Sequence, residues 1–90
     1  MPQAIVNEDV QTLALRALVW TLAEPDRASR LLAVTGIDPD DLRARAGEPA
    51  VLAATLQFLT AHEADLIACA GDLGVPPQTL ADAAARLEAA

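Results

Sequence analysis

Apolar residues recur along this chain at the three- and four-residue intervals of helices. Two segments near the C-terminus show the same spacing of i, i+3, i+4 and i+7: Leu66, Cys69, Ala70 and Leu73, then Leu80, Ala83, Ala84 and Leu87. This spacing places each set on one helical face. Because no segment alternates apolar and polar residues as a strand does, the pattern predicts an all-α fold, a compact bundle of about six short helices.

Prolines predict where several of these helices begin. Pro25, Pro49 and Pro77 suit the first turn of a helix, where a residue needs no amide hydrogen. The boundaries of four of the predicted helices follow from these prolines and from the apolar pattern: residues 7–23, 25–35, 39–46 and 77–88.

Capping residues predict the other boundaries. Asn7 caps the first helix, which leaves residues 1–6 as a loose lead-in, and Asp38 caps the third helix. Thr60 and Glu63 fit the Ser/Thr-x-x-Glu capping box, which predicts that one helix ends and the fifth begins at this point.

The first predicted helix is apolar almost all round, through Leu13, Leu15, Ala17, Leu18, Val19, Trp20 and Leu22. Helices with this pattern are typical of the middle of a bundle. A tryptophan in such a helix is usually a core residue, although Trp20 is also the kind of side chain that anchors a binding partner.

A seven-residue phrase occurs twice, 38 residues apart, over residues 36–42 and 74–80. Each copy has a glycine that can end a helix in the left-handed conformation, a proline that can begin the next, and a leucine. The same offset pairs Trp20 with Phe58. The repeat predicts two three-helix halves packed against each other, with a groove between them, lined by Trp20 and Phe58, that would fit a partner helix.

Composition and charge limit the classes of partner. The 90 residues form one domain, residues 1–90, in which alanine and leucine fill 35 positions, so the helices should approach closely. Six arginines, no lysine and thirteen acids give a net charge of −7, which repels phosphates and anionic lipids. The sequence therefore predicts neither a nucleic-acid nor a membrane partner. A single cysteine and an N-terminus unlike a signal peptide favour the cytoplasm.

The chain has no recognisable set of catalytic, metal-binding or cofactor-binding residues. His62 and Cys69 are the only residues of their kinds, and in one helix they would lie about 10 Å apart, too far for proton transfer. A calcium loop beginning at Asp38 fails, because Leu42 and Pro49 occupy liganding positions. We expect no enzyme activity, no metal and no cofactor.

Residues 70–80 resemble the turn of a DNA-binding helix-turn-helix motif. The helix that follows should then present side chains that bind bases and phosphates. It carries one arginine, Arg86, and the acids Asp82 and Glu88 oppose it. Nucleic-acid binding is therefore the least favoured of the binding hypotheses.

The stretch over residues 31–46, above all Thr-Gly-Ile-Asp-Pro-Asp-Asp-Leu-Arg at 35–43, resembles a bacterial family of short proteins, the domain-of-unknown-function 3572 family. The resemblance covers nearly the whole chain and includes Glu24-Pro25, Phe58-Leu59 followed by Glu63, and Gly74-Val75-Pro76-Pro77. It implies a short helical protein but no activity or ligand, because the family has none assigned.

The function that best fits these observations is a non-catalytic protein–protein interaction module. The candidate contact surface is the charged turn around the third helix, made of Asp38, Asp40, Asp41, Arg43 and Arg45, or else the groove between the halves. The alternative is a homo-oligomeric structural protein whose apolar faces are completed by a second copy.

Overall fold

The computed structural model describes residues 2–89, with side chains from residue 10 onward. Within these residues the chain forms six α-helices and no strand: α1 (Pro2–Leu22), α2 (Pro25–Thr35), α3 (Pro39–Ala44), α4 (Pro49–Thr60), α5 (Glu63–Leu73) and α6 (Pro77–Ala89). The predicted all-α bundle is confirmed. None of these helices combines the length and the apolar character needed to cross a membrane.

The predicted proline starts are also confirmed. Helices α2, α4 and α6 begin at Pro25, Pro49 and Pro77. Asp38 caps α3, because its carboxylate Oδ2 accepts a hydrogen bond from the backbone N–H of Asp40 at 3.1 Å. That bond satisfies one of the amide groups that have no partner inside the helix.

Both copies of the repeated phrase end a helix with a left-handed glycine, as predicted. Gly36 has φ +70° and donates its N–H to the carbonyl of Leu32 at 2.8 Å. Gly74 has φ +76°, and the next residue, Val75, donates to the carbonyl of Ala70 at 3.0 Å. The chain therefore reverses at equivalent points after α2 and α5.

The N-terminus differs from the prediction. Helix α1 begins at Pro2 rather than after an Asn7 cap, so residues 2–6 are helical instead of forming a lead-in. Met1 lies outside the described residues. Proline fits the first turn, and no glycine or second proline separates it from Asn7, so nothing in this segment stops the helix.

Helix α3 is shorter than predicted, because it ends at Ala44 rather than at Ala46. Arg45 leaves the helical conformation, and its carbonyl accepts a hydrogen bond from the N–H of Glu48 at 2.9 Å, which forms a turn before α4. At the other end of the chain, α6 continues to Ala89, one residue beyond the prediction.

The capping box at Thr60 is wrong, although a break does occur there. Helix α4 runs to Thr60, whose hydroxyl donates to the carbonyl of Gln57 at 3.0 Å. His62 occupies the N-cap position of α5 and makes no side-chain cap bond. Its ring Nδ1 instead lies 2.7 Å from the carbonyl oxygen of Phe58, so the imidazole binds the end of α4.

Helix α4, rather than α1, occupies the centre of the bundle. Both helices pack against four others, α4 against α1, α2, α5 and α6 and α1 against α2, α4, α5 and α6, so burial is what distinguishes them. More than half of its side chains are buried: Val51, Leu52, Ala53, Thr55, Leu56, Phe58 and Leu59. Its own sequence is apolar from end to end, and this allows neighbours on several sides.

Helix α1 is apolar all round but is covered on one side only. Ala14, Ala17, Leu18 and Thr21 are buried against the core. Leu15, Val19 and Leu22 remain exposed on the other side. The prediction that α1 lies in the middle of the bundle is therefore wrong, because no element of the described chain covers this second face.

The two halves share one core instead of forming two. Buried side chains from all six helices join a single apolar cluster. The repeat also diverges after its matching turns: α6 has 13 residues and buries four side chains, whereas α3 has six residues and buries Leu42 alone. This short helix leaves space beside α1, and that space forms the candidate site.

Candidate protein-interaction surface

An open apolar depression of about 430 Å³ lies between the exposed face of α1 and the helices α2 and α3. We refer to it as the α1–α3 trough. It is lined by nine residues: Leu15, Leu18, Val19, Leu22, Leu32, Pro39, Leu42, Arg43 and Ala46. Eight of these side chains are apolar, so the trough can bury apolar surface of a partner but presents few directional hydrogen-bonding groups.

Three aliphatic side chains of α1 form one wall of the trough. Leu15 is 38% exposed, Val19 67% and Leu22 40%. They follow each other at intervals of four and three residues, which places them in one row along the helix. Leu18 points inward between them and is buried, so the row borders directly on the core.

The opposite wall consists of α3 and the end of α2. The left-handed turn at Gly36 lets the chain fold back so that Leu32 and Pro39 both line the trough. Leu42 is buried and anchors α3 to the core. Arg43 is the one charged residue in the lining, and its guanidinium lies 3.3 Å from the carboxylate of Asp40.

The five residues of the predicted charged surface all lie on or beside α3, and Arg43 is the one among them that lines the trough. Asp38 is used as the helix cap, and Asp40 is paired with Arg43. Arg45 pairs with Glu48 at 3.0 Å. Asp41 is exposed in the first turn and has no ion-pair partner among the described residues.

Trp20 and Phe58 line different depressions, so the structure does not bring them together in the predicted groove between the halves. The indole Nε1–H of Trp20 donates to the carboxylate of Asp72 at 2.6 Å. The guanidinium carbon of Arg27 lies 3.6 Å from the Trp20 ring centroid. Phe58 is a buried core residue, and its ring centroid lies 4.7 Å from that of His62.

The remaining candidate for chemistry, Cys69, is buried in the core. Burial raises the pKa of its thiol to about 11, although the positive charge of Arg27 partly offsets the effect. A thiol with this pKa stays protonated near neutral pH and is a poor nucleophile. Among the described side chains, no three His, Cys, Asp or Glu residues come together as a metal site.

Sequence reasoning predicted the charged turn but missed the trough itself. The signal was present in α1, whose apolar residues surround the helix. It was interpreted as burial on all sides, whereas a helix of this kind can also keep one apolar face for a partner. Only the tertiary structure shows that α4 takes the central position and leaves that face uncovered.

Comparison with known proteins gives one match. A family model described as a protein of unknown function, DUF3572, matches residues 7–90, nearly the whole chain. No curated protein and no solved structure matches.

Proposed function

This chain belongs to the DUF3572 family. We propose that it is a non-catalytic module that binds another protein through the α1–α3 trough. One observation carries the proposal: the exposed row of Leu15, Val19 and Leu22 beside an apolar depression. Single exposed aliphatic residues are common, but a contiguous apolar patch on a small domain is typical of an interaction site.

The shape of the trough supports a helical segment as the bound part of the partner. Leu15 and Leu22 are seven residues apart, so the row extends over about two turns, or about 10 Å. A helix packs its own side chains between rows spaced in this way. Binding of an amphipathic helix in an apolar groove is a common mode of recognition.

The lining of the trough also favours binding over catalysis. Arg43 is its one charged group and is already paired with Asp40. An arginine side chain is a permanent cation, so it does not act as a nucleophile or a general base at neutral pH. We place this interaction in the cytoplasm, because its reducing conditions suit a protein whose one cysteine is buried and unpaired.

The first test compares two valines of nearly equal exposure. Val19 is 67% exposed and lines the trough as well as the depression beside Trp20. Val34 is 64% exposed and lies on α2 outside both, at the depression beside Phe58. Glutamine at either position keeps a good helix former and adds no charge. The tagged protein and both variants are used for affinity capture from lysate of cells that naturally make it, followed by mass spectrometry.

We expect Val19→Gln to weaken the captured interaction by about tenfold or more, because it removes about 1.5 kcal/mol of apolar burial. Val34→Gln should leave it unchanged. A partner that both variants retain would exclude the trough as its docking surface.

A second copy of the chain is the competing occupant. Each copy carries a net charge of −7, which opposes self-association unless the apolar area outweighs it. Sedimentation velocity over a wide concentration range distinguishes a site for a different protein from a site for a second copy of the chain. A monomer throughout supports the trough as a site for a different protein, and a dimer that Val19→Gln dissociates would make the homo-oligomer the function.

A further inference from the structure

We infer that the partner segment is an amphipathic helix whose apolar face is flanked by lysine or arginine residues. The inference rests on the proposed function, since it concerns what binds in the α1–α3 trough. It adds the charge of the partner, which the apolar lining alone does not specify.

The four arginines of α2, α3 and the turn after α3 all form ion pairs within the chain. Arg27 pairs with Glu24, Arg43 with Asp40 and Arg45 with Glu48. The fourth, Arg30, pairs with Asp65 of α5. Every arginine in this segment therefore has an acidic partner within the chain, so the arginines leave no net positive charge there to attract an acidic segment.

The acids of the same segment are more numerous than its arginines. Three of them have no ion-pair partner among the described side chains: Asp26, Asp38 and Asp41. Two of the three belong to α3, Asp38 as its cap and Asp41 in its first turn, although neither lines the trough. Residues 38–48 hold four acids and two arginines, so α3 and its flanks carry a net charge of −2 beside the trough.

The α1 wall does not cancel this charge. From Val10 to Leu22 the only charged residue is Arg16, and its single positive charge is smaller than the net −2 of α3 and its flanks. The chain as a whole adds to the same field with its net charge of −7. A basic segment is therefore attracted as it approaches, whereas an acidic segment or a second copy is repelled.

Three designed helical peptides test the inference. Each has about 14 residues, or four turns, with leucines at i, i+4, i+7 and i+11 and a side-chain staple that equalises helicity. The residues that flank the leucine face are lysine in the first peptide, glutamine in the second and glutamate in the third. Fluorescence anisotropy measures the affinity of each for the full chain at low and at high salt.

We expect the lysine peptide to bind tightest and the glutamate peptide weakest, with about a tenfold range at low salt, since exposed ion pairs are individually weak. High salt should reduce the range, because it screens exposed charges. The glutamine peptide should bind through the leucine face, and Val19→Gln should weaken its binding.

A pair of double variants locates the charges that matter. Asp38→Asn with Asp41→Asn removes the two acids of α3 that have no ion-pair partner among the described side chains, and asparagine preserves the cap of α3. Glu63→Gln with Asp82→Asn removes two exposed acids from α5 and α6 as a matched control. The first pair should reduce the preference for lysine over glutamate about threefold or more, and the control should change it less.

The outcomes separate the inference from the proposed function. If all three peptides bind equally and Val19→Gln weakens them, the trough binds helices without regard to charge, and the inference fails alone. If the glutamate peptide binds best, the inference is likewise overturned. If no peptide binds the full chain, the trough is not a helix-binding groove and both proposals fail.

Discussion

Arg27 joins the end of α1 to the start of α2. Its guanidinium stacks on the ring of Trp20, with 3.6 Å from its central carbon to the ring centroid. It also donates to the backbone carbonyl of Trp20 at 2.6 Å and pairs with Glu24 at 3.4 Å. Its side chain is only 14% exposed. A flat, delocalised cation is needed to stack and donate at the same time.

Arg27→Lys should therefore lower the free energy of unfolding by about 1–2 kcal/mol. A lysine ammonium retains the charge but cannot stack flat on the indole while donating to the Trp20 carbonyl. Urea unfolding followed by circular dichroism measures the change.

The matched control for this change is Arg43→Lys, because the side chain of Arg43 is 82% exposed and its pairing with Asp40 is a surface contact. Its effect should stay within about 0.5 kcal/mol. Equal effects at the two positions would mean that Arg27 acts through charge alone.

At the scale of single elements, the glycines that end α2 and α5 differ in backbone conformation from the glycine inside α5. Substitution by alanine should therefore have opposite effects on stability at the two kinds of position. Gly36 and Gly74 lie in the left-handed region, where a Cβ is strained even though nothing lies within 4 Å of it. Gly71 lies within α5, and there too a Cβ would meet nothing within 4 Å. Space is equal at these positions, so backbone conformation alone separates them.

Gly36→Ala should destabilise the protein by about 1 kcal/mol, because the Cβ of alanine is strained in the left-handed backbone conformation. Gly71→Ala should stabilise it by about 0.5–1 kcal/mol, because alanine favours the helix more than glycine does. Thermal unfolding of both variants gives the two signs. A loss of stability in Gly71→Ala would show that α5 needs flexibility at that point.

Helix boundaries were predicted well where they depend on a few neighbouring residues. Pro25, Pro49, Pro77 and Gly36 act within one turn of the chain, so sequence alone predicts their effect. The capping box at Thr60 failed for a different reason. Thr60 is the last residue of α4, and His62 takes the N-cap position of α5, so Glu63 is the first residue of that helix and not the third, as a capping box requires.

At the scale of the whole molecule, the sequence could not determine which apolar helix lies at the centre. Both α1 and α4 are largely apolar, although α4 has no charged residue and α1 has Glu8, Asp9 and Arg16. The spacing of apolar residues alone is compatible with a central position for either helix. The structure places α4 between α1, α2, α5 and α6 and leaves the row through Val19 exposed. This choice depends on how all six helices pack together, and the trough exists because of it.

One shared core means that the two halves should unfold together. Leu56 of α4 is fully buried in the cluster to which all six helices contribute. Leu56→Ala should lower the free energy of unfolding by about 3 kcal/mol. Amides that exchange only through global unfolding should then lose about a hundredfold of their protection. Because α4 packs on helices from both halves, hydrogen exchange should show this loss equally in α1 and in α6.

Ile67→Ala, at an exposed position of α5, should change protection little. A loss confined to α4, α5 and α6 would mean that the repeated turns mark two units that unfold independently.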